Sequence, residues 1–77
     1  MSIKVLLFGA IKDKVGKPEL ELNDLSSTEK VREHLEAEFP FIRSTRYILA
    51  LNQVRLEDDR ELSDGDEIAL MPPFAGG

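Results

Sequence analysis

Apolar residues alternate at both ends of this chain and follow a helical stripe in only one stretch between them. Ile3, Val5 and Leu7 take every second position near the start, and Ile68 and Leu70 do so near the end. A period of two is what buries one face of a strand. Val31, Leu35 and Phe39 recur four residues apart instead, the stripe of an amphipathic helix. Strands at both ends with one main helix between them leave few solutions, because the helix must lie across a sheet to bury its stripe.

Taken in order, residues 2–9 read as a first strand whose second face is polar at Lys4 and apolar at Leu6 and Phe8. Residues 10–15 are too short for a full helix and read as a single turn leading into Gly16. Leu20 and Leu22 alternate again over 17–22, and Pro18 near the start of that run marks an edge strand, paired with the first as an antiparallel hairpin. Ser26-Ser27-Thr28-Glu29 is a Ser-x-x-Glu capping box, which predicts a helix running to about Glu38 or Phe39, ahead of Pro40. Its solvent side carries Lys30, Arg32, Glu33, Glu36 and Glu38. Residues 47–51 form a buried type of strand, Asn52-Gln53 a tight turn, and 54–56 a short returning strand. An acidic loop follows at 57–61, Gly65 suits a positive-φ turn position, and 67–71 is the last strand. The sum is an α+β fold, a mixed sheet of about five strands with one main helix on one face. That order fits the β-grasp, or ubiquitin-like, arrangement, in which first and last strands lie side by side in mid-sheet.

Seventy-seven residues suffice for one domain, 1–77, near the lower limit for folding without a covalent or metal staple. The absence of cysteine removes disulfides and thiolate metal sites, which suits a reducing cytoplasm. The N-terminus enters a strand directly, so no signal peptide is expected, and no apolar run approaches the roughly 20 residues of a membrane span. A net charge of −5 argues against a nucleic-acid partner and favours a neutral or basic protein.

The last strand runs into Pro72-Pro73-Phe74-Ala75-Gly76-Gly77. Proline offers no N–H and a fixed φ, so Pro72 and Pro73 end the ladder and favour an extended spacer. Gly76 and Gly77 have no Cβ and leave a thin tip, suited to carrying the terminal carboxylate into a narrow cleft. A frayed terminus is the competing explanation. The sheet's outward face discriminates between them. If Val5, Leu7, Ile68 and Leu70 face the helix, then Leu6, Phe8, Ala69 and Met71 face away, and adjacent first and last strands gather these four into an apolar patch fit for a protein contact.

The opening IKVLLFGAIKDKVG, the helix segment from Glu29 to Leu35, the Leu51-Asn52-Gln53 turn and above all LSDGDEIALMPPFAGG resemble the molybdopterin synthase small subunit (MoaD) family of ubiquitin-like sulfur carriers over essentially the whole chain. The resemblance implies a sulfur carrier of the cytoplasm with 72–77 as a protruding tail. A ubiquitin-activating-type enzyme would consume ATP to adenylate the Gly77 carboxylate, and sulfur would then replace AMP to give a thiocarboxylate. The tail would enter the large synthase subunit, in a heterotetramer, and donate sulfur to a cyclic pterin precursor to make the molybdopterin dithiolene. No bound cofactor or metal is implied, and the catalytic side chains would belong to the partners. Leu6, Phe8, Ala69, Met71 and Phe74 would make the docking surface, Phe74 anchoring the start of the tail. Arg55 stands where the family leads one to expect a more apolar rim residue. Sulfur carriers for thiamine synthesis or tRNA thiolation, and ubiquitin-like protein modifiers, share the Gly-Gly end; the Pro-Pro-Phe-Ala spacer favours the molybdopterin pathway over the other carriers.

Other candidates are weaker. His34, the sole histidine, sits beside the helix stripe as a boundary residue without an oriented partner in sequence. The acidic run from Glu57 to Glu67 lacks calcium-loop spacing and is interrupted by Arg60, so it reads as a solvated loop. Ser26, Ser27 and Ser44 have no nearby base that would mark a nucleophile.

Overall fold

A computed structural model describes residues Met1–Pro73. Its five strands are β1 (Ser2–Leu7), β2 (Glu19–Asn23), β3 (Ile48–Leu51), β4 (Val54–Arg55) and β5 (Glu67–Met71). They form one sheet in the order β2-β1-β5-β3-β4. β1 and β5 are parallel neighbours at the centre, with Val5 opposite Ile68 and Leu7 opposite Leu70. β2 is an edge strand antiparallel to β1, and β3 pairs antiparallel with both β5 and β4. This is the β-grasp order expected from the patterning.

The core lies between the sheet and the helix α2 (Thr28–Glu38). Ile3, Val5 and Leu7 of β1, Ile68 and Leu70 of β5, and Val31 and Leu35 of α2 are all essentially inaccessible to water. Leu20, Leu22, Leu49 and Leu51 close the flanks of the same cluster. Burying a side chain of this size contributes roughly 1.5–3 kcal/mol, which is why the period-two and period-four stripes decide the fold.

Two local expectations are corrected. Residues 10–15 belong to a seven-residue helix, α1 (Gly9–Val15), rather than a single turn. A helix this short is marginal alone. Here Ile11 is buried and Val15, one helical turn later, packs on the same core, so tertiary burial sustains what length does not. Gly16 ends it in the left-handed region (φ 85°), its N–H bonded to the Lys12 carbonyl at 2.8 Å. The second correction moves the cap of α2 by one residue. Ser27, not Ser26, is the N-cap, and its Oγ accepts from the Lys30 N–H at 3.2 Å. Ser26 is held outside the helix because its carbonyl accepts from the Leu62 N–H at 2.9 Å. Thr28 is thereby drawn into the first turn and buried, accepting from the Arg60 N–H (2.9 Å) and donating to Asp59 (3.0 Å).

After Phe39, a 3₁₀ turn (Pro40–Ser44) drops Ile42 into the core, an element the patterning does not foresee. The Asn52-Gln53 turn is present with positive φ at both positions (49° and 72°), the signature of a type I′ hairpin. Asn52 stabilises it by accepting from the Glu67 N–H (3.0 Å) and donating to Asp66 (3.1 Å). Gly65 has the expected positive φ, 87°. No helix among the described residues is long and apolar enough to cross a membrane.

Candidate functional site: the outer sheet face and the root of the tail

Side chains that point away from α2 form a continuous row across four strands. Leu6 stands opposite Ala69, Ala69 opposite Ala50, and Ala50 opposite Arg55. One step towards the end of β5, Met71 pairs with Ile48. The extended backbone of β1 continues through Phe8 (φ −131°, ψ 159°), whose N–H bonds to the Leu70 carbonyl at 3.2 Å. Phe8 therefore comes beside Met71, and it is among the few large apolar side chains that are exposed among the described residues.

The structure thus brings Leu6, Phe8, Ala69 and Met71 onto one face, where alternation had put them. Sequence reasoning missed two neighbours from β3, Ile48 and Ala50. The signal was available: Tyr47, Leu49 and Leu51 pack on the core, so the residues between them must point outward. Ala50 is only 3% exposed, in register between Ala69 and Arg55 and close in β3 to Ile48. The floor of the patch is small and its rim is large. Arg55 lies at the β4 margin of this face, exposed, and at the β2 margin Lys4 and Glu19 approach to 3.8 Å. The face is an apolar strip between charged edges.

The tail begins where this strip ends. Pro72 follows β5 directly and rests against Gly9 at the start of α1: a Cβ on Gly9 would lie 3.2 Å from Pro72 Cγ. Gly9 has φ 59°, so both its conformation and its contact favour glycine. Pro73 is exposed. Phe74, Ala75, Gly76 and Gly77, on which the sequence reading rests its chemistry, lie outside the described residues.

Away from this face several polar groups are engaged in structure. Arg32 Nη2 alone reaches both oxygens of Asp59 at 2.8 Å, and Thr28 donates a hydrogen bond to the same carboxylate. The Arg32 guanidinium, followed by Thr28, holds the Asp59 carboxyl below the usual carboxylate range. Asp66 is lowered by the Ser63 N–H first and the Asn52 amide second. Burial raises Tyr47 above the usual phenol range. His34 is exposed and sits 3.1 Å from Glu38, one turn further along α2. A concavity of about 520 Å³ opens at the β3–β4 edge among Arg32, Tyr47, Leu56 and Asp59. Its central charges neutralise each other, and it holds no paired nucleophile and base.

Comparison with known proteins agrees with this geometry. Residues 5–77 match the ThiS family. The chain is 40% identical over 83 residues to a molybdopterin synthase sulfur carrier subunit from Chlamydomonas reinhardtii, covering 100% of both chains. Among solved structures, it is similar to a chain of the complex of subunits 1 and 2 of molybdopterin-converting factor from Helicobacter pylori 26695, with a TM-score of 0.76, 26% identity and 100% of both chains covered. It is also similar to the small archaeal modifier protein 1 from Methanosarcina acetivorans, with a TM-score of 0.80, 25% identity, and coverage of 99% of this chain and 96% of that one.

Proposed function

This chain belongs to the ThiS family, and we propose from that premise that it is the sulfur carrier subunit of molybdopterin synthase, with the Gly77 carboxylate as its reacting group. The observation that carries the reading is the position of the tail root. Pro72 leaves the central strand β5 at the end of an apolar face and against Gly9, so a partner that grips the face also receives the tail at a defined point.

In this mechanism an adenylating partner directs a carboxylate oxygen of Gly77 at the α-phosphorus of ATP, and pyrophosphate leaves. A sulfur nucleophile then attacks the acyl carbon, the C–O bond to AMP breaks, and a thiocarboxylate remains. The carboxylate alone is a poor electrophile, and the adenylate supplies the leaving group. The large synthase subunit then takes the tail into its site, where the thiocarboxylate sulfur attacks a carbon of a cyclic pterin precursor and displaces an oxygen group from it, and water cleaves the acyl–sulfur bond to return the Gly77 carboxylate. Two such transfers complete a dithiolene, which fits a heterotetramer with two carriers. The Gly76-Gly77 tip lets the enclosing site close around the reacting carbonyl and hold it in line. Consumption of ATP fits a cytoplasmic setting.

The test is the intact mass of the chain after incubation with the adenylating enzyme, ATP and a sulfur donor. Exchange of one oxygen for sulfur, mapped to Gly77, is expected, and addition of the large subunit and precursor should yield dithiolene. Thiocarboxylated chain that yields none, beside an active reference carrier, removes the molybdopterin assignment. The likeness to an archaeal modifier favours a second reading, conjugation of Gly77 to lysines. Covalent adducts in lysate that vanish when Gly76 and Gly77 are deleted would support it.

A further inference from the structure

The net charge of −5 is unevenly placed. α1 with the residues after it, and the 3₁₀ turn with those leading into β3, carry Lys12, Lys14, Lys17, Arg43 and Arg46 against Asp13 alone. Five cations against one anion give these two segments +4 and leave −9 on the remainder. All six side chains belong to exposed residues. None of the five cations has an ion pair among the described residues, whose salt bridges involve the N-terminus, Lys4, Lys30, Arg32 and His34.

Topology sets both segments at one end of the sheet. β1 ends into α1, β5 runs parallel to β1, and β3 begins at that end because it is antiparallel to β5. The two segments touch: Lys14 Nζ lies 5.2 Å from the centre of the Phe41 ring. This is the end from which the tail leaves, as the Gly9–Pro72 contact fixes. Acidic groups also lie towards this end: Glu19 paired with Lys4, Glu36 facing Tyr47 and Arg32, Glu38 on the last turn of α2, and Glu57 and Asp58 where the chain after β4 runs back beside Tyr47 and Ile48. At the opposite end lie Asp24, Asp64 and Asp66 beside the N-terminus and the β3–β4 turn, with Asp59 and Glu61 against the start of α2.

Building on the carrier reading above, we propose that the cations of α1 and the 3₁₀ turn form a basic collar that docks on an acidic protein surface rimming the cleft for the tail. The expectation of a neutral or basic partner, drawn from net charge, is reversed at the surface that matters. An acidic rim repels most of this chain and attracts only its tail end, so the field turns the carrier tail-first during approach. Steering of this kind raises association rates by about 10- to 1,000-fold and fades as salt shortens the Debye length below about 10 Å. A nucleic acid fits less well, because its long charged backbone would lie against the −9 remainder.

The experiment measures stopped-flow association of the full chain with the large synthase subunit across ionic strengths. Lys12→Glu/Lys17→Glu should slow association about tenfold at low salt and converge on wild type at high salt. Lys12→Gln/Lys17→Gln should fall between them, with unchanged urea midpoints showing that both variants fold. Glu29→Lys/Glu61→Lys, at the other end by the start of α2, should stay within about twofold of wild type. Unchanged or faster association of the Lys12/Lys17 variants overturns the collar, as does an equally large acceleration by the Glu29/Glu61 pair, which would mark net charge rather than its placement. If the wild-type chain forms no complex at any salt, the carrier reading fails and the collar fails with it.

Discussion

A Cβ built on Gly9 would stand 3.2 Å from Cγ of Pro72, so the first residue of α1 and the first residue of the tail meet closely enough that an added methyl presses on the proline ring. The contact joins two segments 63 positions apart in sequence, and it fixes where the tail departs from the sheet.

Gly9→Ala tests that joint. Alanine at φ 59° is strained by roughly 1–2 kcal/mol, and the methyl also pushes Pro72 aside. Gly16→Ala supplies the comparison, because Gly16 has φ 85° but nothing within 4 Å of the added Cβ. Both variants should lose about 1–2 kcal/mol in urea denaturation, while Gly9→Ala alone should lower the rate of thiocarboxylate formation. Equal rates for the two would show that the tail root need not be held.

The start of α2 separates what the sequence discloses from what it hides. Ser26-x-x-Glu29 fits the capping box, yet the helix is capped by Ser27. The deciding contacts come from 60–62: the Leu62 N–H on the Ser26 carbonyl and the Arg60 N–H on Thr28. No local pattern contains them. Ser27→Ala should therefore cost about 1 kcal/mol. Ser26→Ala should cost little, since Ser26 contributes its carbonyl rather than its hydroxyl to these contacts. Urea midpoints of the two variants check the order, and the reverse order would restore the box.

The same distinction runs through the molecule. The strands and α2 were legible because Ile3, Val5, Leu7, Val31, Leu35, Ile68 and Leu70 each obey a period that only one element satisfies. α1 was not, because Ile11 and Val15 make too short a stripe and their burial depends on the assembled sheet. On the outer face, Leu6 and Ala69 followed from alternation within their own strands, whereas Ile48 and Ala50 required knowing that β3 is the neighbour of β5. The collar was invisible for another reason: composition sums charge, and only topology shows that the cations gather at one end.

Asp59 makes stability depend on acid. Its carboxyl is held below the ordinary range, first by Arg32 and then by Thr28, so the folded state binds its proton less readily than the unfolded chain. The resulting stabilisation is complete above the unfolded value of about 3.9 and is lost as pH falls towards the folded one. Asp66, lowered by Ser63 and Asn52, acts in the same direction. Urea midpoints of wild type should drop as pH falls from 5 to about 2. Asp59→Asn should be less stable at pH 7 and approach wild type in acid. A gap that stays constant across this range would mean that Asp59 acts by shape and not by charge.

The outer face makes the sharpest demand, because its residues can be changed without touching the core. Leu6 and Ala69 are half-buried neighbours in register, and Ala50 beside them is buried. Leu6→Glu sets a carboxylate in the middle of the apolar strip, and Ala69→Leu fills its small-residue floor. Neither side chain lies among the buried cluster of Val5, Leu35 and Leu70, so the unfolding free energy from urea titration should move by less than about 1 kcal/mol in each. Affinity for the large synthase subunit should fall far more, by at least about 2 kcal/mol or some thirtyfold, since losses of that size arise at desolvated central positions of an interface. Arg55→Ala, at the margin of the same face, should cost less than about 1 kcal/mol of affinity because a rim charge keeps its water. Calorimetric titration of the three variants ranks them. Leu6→Glu binding as tightly as wild type would falsify the assignment of this face to the partner.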